Sequence, residues 1–369
     1  MEQISVVERG AIRFLGEYLD RYSPKNIFLV TGQKSFEVSG AKAKLDAILS
    51  KYNVRRFSDF ETNPKIEDIE KGLAILGLGE YDLVVAIGGG SVIDVAKMIS
   101  FFAGSEGDIV GGEYKEGTRL PLVAIPTTAG TGSEATHFAV VYKNGVKYSV
   151  ANEKMLPEVA IVDSELSYNA PEYLGACAGF DALSQAMEAF WNVNSTEESD
   201  QYSEESMRLL RDNLVLAVRN NSNDSKDLVS KASFLAGKAI NITKTTAAHA
   251  MSYPFSIHYG YPHGHAVALI LPELVPYNYE VAETSLNDPR GVGYVKAKID
   301  RMVNILGCES VAGLKDWLEN VKRYLGLTLK EGEVDQNLLL RGVNAQRAKN
   351  NPRKVDFREL LRVCLERGG

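Results

Sequence analysis

YDLVVAIGGGSVIDVAKMISFF, residues 81–102, reads as one structural unit. Leu83–Ile87 is an apolar run of strand length, Gly88-Gly89-Gly90-Ser91 a tight turn, and the stretch from Val92 to Phe102 a helix with an apolar face. PLVAIPTTAGTGSEAT (121–136) repeats the pattern, with a strand followed by a loop of glycines and small hydroxyl residues. NIFLVTGQ (26–33) predicts an earlier buried strand, VAIVD (159–163) a later one, and a short strand is expected near Val54–Phe60. Between them lie helical spacings at 7–22, around 44–50, and after the Asn63-Pro64 breaker up to residue 76. Strands alternating with helices predict βαβ units and a mainly parallel sheet.

The pattern changes after Asp163. LSYNAPEYLGA (166–176) reads as a hinge, and SNDSKD (222–227) as a polar loop. From about residue 172 helical periodicity dominates, for example at 205–218, 228–240, 296–306 and 311–324, and no strand is expected. The predicted organisation is an α/β domain over 1–164 and an all-helical domain over 165–369. Apolar content of 45% and charged content of 24% suit a soluble globular protein. A net charge of −7 argues against nucleic acid or an anionic membrane as the main partner. The start lacks a signal-peptide pattern, no run reaches the length of a membrane helix, and three cysteines without CxxC spacing suit a reduced, cytoplasmic chain.

Two loops and one helix carry the candidate chemistry. Gly88, Gly89, Gly90 and Ser91 let a phosphate approach the backbone at a helix N-terminus, or they form only a tight strand-to-helix turn. Asp94, one turn on, faces either ligand or solvent. The loop with Thr127, Thr128 and Thr131 follows its own strand, where parallel sheets bind ligands. In CAGFDALSQAMEAFWNV (177–193), Asp181 and Gln185 share a helix face. His249 and His263 could join them around one divalent ion, or Asp181 is a buried acid paired within the fold.

Taken together these residues resemble the iron-containing alcohol dehydrogenase family, which shares its fold with dehydroquinate synthase. Gly88–Ser91 with Asp94 and Lys97 is similar to GGGSxxDxxK, Pro126–Glu134 to PTTAGTGSE, Gly179–Glu188 to GxDALxHAxEA, and Pro262-His263-Gly264 to PHG. The resemblance implies a dinucleotide-binding domain, a helical domain, catalysis in the cleft between them, and usually a homodimer or larger oligomer. It assigns Fe²⁺ or Zn²⁺ to Asp181, His249 and His263. Gln185 replaces the usual fourth histidine, so that an amide oxygen ligates, a water does, or affinity is low. Tyr253 stands where the family often has a proton-relaying histidine, with His265 as a substitute. Lys147 and Leu174 align with cofactor-contacting positions. The turn Gly32-Gln33-Lys34-Ser35 lacks the acid that holds the ribose in NAD-dependent members, so NADPH is expected over NADH.

VTGQKSFEVSGA (30–41), NITKTTAAHAMSYP (241–254) and YPHGHAVAL (261–269) resemble a branch of phosphonate metabolism that reduces phosphonoacetaldehyde to 2-hydroxyethylphosphonate. There Lys244 with Thr245 or Thr246 would grip the anionic substrate, with Arg347 and Lys349 as a second basic pair. Reduction of uncharged aldehydes such as butyraldehyde or lactaldehyde, or a dehydroquinate synthase-type lyase reaction, are the alternatives.

Overall fold

The computed structural model describes residues 3–115, 117–330 and 334–367. The chain divides into two compact units, Met1–Ala170 and Pro171–Gly369. The first contains strands β1 (Ile4–Val7), β2 (Asn26–Thr31), β3 (Asn53–Phe57), β4 (Leu83–Gly88), β5 (Glu106–Asp108), β6 (Glu113–Lys115), β7 (Leu122–Pro126), β8 (Phe138–Lys143), β9 (Val146–Ala151) and β10 (Val159–Val162). Its helices are α1 (Leu15–Tyr22), α2 (Ser35–Val38), α3 (Ala41–Leu49), α4 (Ile66–Leu76) and α5 (Gly90–Phe101).

Among the described residues, six of these strands form a parallel sheet in the order β1-β10-β7-β4-β2-β3. Both faces are covered, which is why the central strands are apolar at nearly every position. Phe28, Val84 and Ala124 point to the side of α4 and α5, whereas Ile27, Val85 and Val123 pack on α1 and α3. The chain leaves β2 toward β3 and leaves β4 toward β7, so the direction of winding reverses between β2 and β4. Ligands of open α/β sheets bind at such a reversal. Thr31 is level with Ile87, and Gly88 with Pro126, so the loops after β2, β4 and β7 emerge side by side.

Several sequence expectations change. Residues 7–22 are not one helix. Ile4–Val7 pairs with β10, a 3-10 turn covers Ala11–Phe14, and the helix starts at Leu15. The β8–β9 hairpin was not expected, although its turn, Asn144-Gly145, has φ of 53° and 76° and is the dipeptide that favours a two-residue hairpin.

The second unit holds α6 (Glu172–Trp191), α7 (Glu197–Arg219), α8 (Asn223–Thr243), α9 (Ala247–Tyr259), α10 (His263–Ala268), α11 (Leu271–Tyr279), α12 (Val292–Ile305), α13 (Val311–Tyr324), α14 (Gln336–Arg341), α15 (Ala345–Ala348) and α16 (Phe357–Arg367). The segment read as a polar loop at 222–227 instead begins α8, with Ser222 accepting from Ser225 N at its start. No helix among the described residues is long and apolar enough to cross a membrane.

Helix α6 is the axis of this unit and is buried almost continuously from Ala176 to Trp191. Two glycines set how closely its neighbours approach. A Cβ at Gly179 would come within 2.3 Å of Leu214 Cδ1 on α7, and one at Gly264 within 1.9 Å of the Cys177 carbonyl oxygen. The second contact is with backbone, so α10 would have to move away from α6. Gly264→Ala should therefore cost about 1–3 kcal/mol of stability, the usual penalty of overpacking. Urea unfolding measures this, and wild-type stability in the variant would show that the close approach is not needed.

Candidate functional site

In the first unit the glycine turn after β4 is a matter of space. None of Gly88, Gly89 and Gly90 has a positive φ. A Cβ at Gly88 would meet Val92 at 2.5 Å, and one at Gly90 would meet Thr131 at 2.8 Å. The turn is thus clasped between the first turn of α5 and the loop after β7. Thr127 N donates to Gly88 O (3.0 Å), which ties the two loops together. The amino end of the 12-residue helix α5 opens at this turn and favours an anion. Ser91 is partly buried and its Oγ accepts from Asn63 N (3.4 Å), while Thr128 faces Gly89.

Both oxygens of Asp94 are engaged within the fold. Its Oδ1 accepts from Ser133 Oγ (2.5 Å) and its Oδ2 from Val140 N (2.9 Å), so it latches the loop after β7 onto α5. Lys97 completes the latch. Fully buried, it donates to Ser133 Oγ (3.0 Å), Thr136 Oγ1 (2.9 Å) and the Phe138 carbonyl (2.9 Å). Burial lowers the Lys97 ammonium to about 8 against the pull of Asp94 and Glu134, and burial raises the Glu134 carboxyl to about 7. Lys147, on β9, is near enough for its charge to act on Asp94. At the end of β2, a Cβ on Gly32 would strike Ser35 Oγ at 2.1 Å, and Lys34 is exposed.

In the second unit, Asp181, His249 and His263 each bring a ligand atom to within 4.8 Å of the others. Asp181 and Gln185 lie one turn apart on α6. His249 lies in the first turn of α9, and His263 is the first residue of α10 after Pro262. Gln185 Nε2 donates to Asp181 Oδ2 (3.0 Å), which orients both side chains. Asp181 Oδ1 and His249 Nε2 are buried 3.3 Å apart, and neither has a hydrogen-bond partner among the described residues. Leaving buried polar atoms so is costly, and a cation between them would satisfy both. One carboxylate with two imidazoles and an amide oxygen suits Fe²⁺ or Zn²⁺.

Glu188, which sequence reasoning gave no role, organises this cluster. It lies seven residues from Asp181 on the same face of α6 and is completely buried. Its Oε1 accepts from Thr246 N (3.1 Å), Thr246 Oγ1 (2.6 Å) and Ala248 N (2.9 Å), closing the amino end of α9. Its Oε2 bonds His249 Nδ1. Burial alone would raise this carboxyl, but His249 and these donors outweigh it and hold it below its ordinary value. Burial would likewise lower His249, but the Glu188 charge, helped by Asp181, pushes it up to about 9. Without an ion His249 is therefore held as the cation, and in the neutral form that ligates an ion the Glu188 bond keeps the remaining proton on Nδ1 and leaves the Nε2 lone pair for the ion. The i, i+4, i+7 spacing of Asp181, Gln185 and Glu188 was the signal in the sequence.

The remaining candidates are sorted by the fold. Tyr253 is buried, one turn after His249, with its ring stacked on His263 at 6.0 Å. Burial raises its phenol, and the charge of Arg347 opposes that rise. His265 is not available as a relay. Residues two apart on a helix do not share a face, and its Nδ1 accepts from Tyr173 Oη (2.7 Å) while its Nε2 donates to the Thr328 carbonyl (2.9 Å). Burial lowers it to about 4, so it stays neutral. Leu174 is 42% exposed in the first turn of α6. Lys244 is exposed and unusual in its backbone, with φ 64° and ψ −176°, a region nearly reserved for glycine. Such a residue costs on the order of 1–3 kcal/mol and persists where its surroundings over-determine it. Here Asn192 Nδ2 (3.1 Å) and Thr243 Oγ1 (2.8 Å) both donate to its carbonyl.

Comparisons with known proteins cover both units. Residues 3–164 match the family described as iron-containing alcohol dehydrogenase, and residues 175–363 match its Fe-containing C-terminal family. The 1,3-propanediol dehydrogenase of Citrobacter freundii is 34% identical over 377 residues, covering 96% of this chain and 94% of that protein. The phosphonoacetaldehyde reductase of Streptomyces viridochromogenes is 33% identical over 306 residues, covering 78% and 76%. Among solved structures, sulfoacetaldehyde reductase from Bifidobacterium kashiwanohense in complex with NAD⁺ superposes with a TM-score of 0.86 at 27% identity, covering 99% of this chain and 96% of that one. Matching along both of its units, the chain belongs to the iron-containing alcohol dehydrogenase family of oxidoreductases.

Proposed function

We propose that this protein reduces a short aldehyde with a terminal anionic group, phosphonoacetaldehyde, to 2-hydroxyethylphosphonate, with NADPH as reductant and a divalent metal as electrophile. The observation that carries the reading is the buried pair Asp181 Oδ1 and His249 Nε2, turned toward one point with His263 and lacking hydrogen-bond partners among the described residues. The substrate class is supported by two relatives whose names state a two-carbon aldehyde bearing phosphonate or sulfonate.

Asp181, His249 and His263, with the Gln185 carbonyl oxygen, would hold the ion. When bound, it supplies Lewis-acid polarisation of the aldehyde oxygen. The reduced nicotinamide supplies the hydride. The chain's own residues prepare the rest. Glu188 keeps the His249 proton on Nδ1, and Gln185 keeps Asp181 from turning away. Tyr253 is kept protonated by burial, so its Oη–H is a donor and not a base at neutral pH. It is the residue proposed to deliver the proton to the product oxygen.

For the cofactor, Gly88–Ser91 and the start of α5 would take the pyrophosphate, with Thr127, Thr128 and Thr131 alongside. The preference for NADPH is supported by the turn after β2. It presents Lys34 and no carboxylate, and Arg56 of β3 lies across it, donating from Nε to Thr31 Oγ1 (2.7 Å) and from Nη2 to the Gly32 carbonyl (3.1 Å). An arginine at this place suits a 2′-phosphate.

Three outcomes are expected. Asp181→Ala should abolish turnover while leaving nucleotide affinity within about twofold, as read by fluorescence of the bound nicotinamide. Turnover like wild type in that variant would defeat the metal assignment. Glu188→Gln should lower metal affinity by about 10- to 100-fold, since the one amide oxygen cannot accept both from His249 Nδ1 and from the α9 amides, and the NH2 group would face a donor at one of the two places. Titration against a chelator measures this, and unchanged affinity would leave Glu188 only as the end of α9. The metal-loaded protein should consume NADPH with phosphonoacetaldehyde faster than NADH, and faster than with butyraldehyde or lactaldehyde. Equal rates with the uncharged aldehydes would leave a general alcohol dehydrogenase, and conversion of substrate without net NADPH consumption would favour the lyase chemistry.

A further inference from the structure

Arg347 is an uncompensated cation. It is partly buried in α15, and the one hydrogen bond of its side chain among the described residues runs from Nη1 to Thr245 Oγ1 (2.7 Å). Three other partly buried arginines face carboxylates, Arg119 that of Glu158, Arg211 that of Asp212, and Arg290 that of Asp288, whereas Arg353 donates to the Tyr277 carbonyl. Arg347 has no such partner among the described residues. A guanidinium with most of its fork unused and no counter-ion is prepared for an anion from outside the chain.

The partner of Arg347 is in a similar condition. Thr245 is 2% exposed. Its oxygen accepts from Arg347, and its own hydroxyl proton has no acceptor among the described residues. Its carbonyl accepts from Asn350 Nδ2 (3.1 Å), so the peptide cannot swing to solve this internally. Thr245 follows the strained Lys244, and the next residue, Thr246, is held on Glu188, whose other oxygen holds His249. The pair Arg347–Thr245 is therefore tied to the candidate metal ligand through the Thr245–Thr246 peptide bond and two polar contacts.

An interruption in α9 puts Arg347 there. Pro254 has no N–H, so the Ala250 carbonyl one turn earlier loses its helical partner. Asn344 N takes that carbonyl at 3.0 Å, and Asn344 Oδ1 accepts from Arg347 N (3.0 Å), starting α15. A Cβ at Gly342 would touch Pro254 at 2.9 Å, so the same proline seats the chain on both sides of the anchor. The arrangement brings Arg347 near enough for its charge to reach the Tyr253 phenol.

We propose that Arg347, with the Thr245 hydroxyl, is the residue that reads the substrate's terminal tetrahedral oxyanion and so sets specificity for anionic over uncharged aldehydes. Lys244, exposed on its strained backbone, shapes the loop and is not the principal grip. The inference rests on the substrate reading above and narrows it to one side chain.

The test compares wild type, Arg347→Ala, Arg347→Lys and Thr245→Val, all metal-loaded and checked for metal content. Phosphonoacetaldehyde and butyraldehyde are the substrates, and methylphosphonate is titrated calorimetrically as a turnover-free probe. Arg347→Ala should raise the KM for phosphonoacetaldehyde about 10- to 100-fold, with kcat and the KM for butyraldehyde changed by less than about twofold. Arg347→Lys should recover part of the loss, Thr245→Val should show a smaller rise of the same kind, and methylphosphonate binding should weaken in parallel. Equal losses with both aldehydes, or none, would overturn the assignment. If wild type itself fails to prefer phosphonoacetaldehyde, the substrate reading falls. The titration then decides separately: methylphosphonate binding that Arg347→Ala removes keeps the anion site, and no binding to wild type ends it.

Discussion

A single buried carboxylate does two jobs in the helical unit. Each oxygen of Glu188 serves a different neighbour: one closes the amino end of α9, and the other fixes the tautomer of His249. An ionised carboxyl inside a protein is expensive unless it is fully hydrogen-bonded. Here the cost is offset by donors that would themselves be orphaned without it, namely the first amides of α9. Position and protonation of His249 are thus set by the same bond that starts the helix carrying it. The site needs no flexible loop to aim this ligand, because the helix start and the ligand are specified together.

The dinucleotide unit solves a related problem with the opposite means. Its loops after β4 and β7 contain glycine and small hydroxyl residues. The holding is done behind them by Asp94 and Lys97, which reach from α5 to the loop after β7. Lys97 is buried without loss of its hydrogen bonds, since all three of its donors are used. Residues that a motif groups with the ligand are here the supports behind it.

How much of this was legible depends on the range of the forces involved. The alternation of strands and helices in the first half, and the helical second half, follow from local periodicity and were readable. So was the Asp181–Gln185 face, because four residues on a helix fix a geometry. The β1 strand was missed because a four-residue strand gains its identity from β10, more than 150 residues away. The hydrogen bonds of Asp94 were not legible for a similar reason, since nothing near it in sequence announces Ser133 and Val140. His265 shows the limit of composition as a guide: two histidines share a five-residue turn, and helix geometry sends them to different partners. Glu188 and Arg56 could have been found from helix spacing and from strand order.

The pairing of β1 with β10 also bears on how the protein comes into being. The first strand of the chain has its only sheet neighbour among the described residues at Val159–Val162. At a synthesis rate of about 5–20 residues per second, Ile4–Val7 waits roughly ten to thirty seconds for the partner that covers it. In the last part of that time, once β7 has been made, its edge, which β10 will also cover, is open as well. The nascent α/β unit therefore has two unsatisfied strand edges until one short segment, only four residues long, closes both. The pace of translation through residues 123–162 sets how long both edges stay open together.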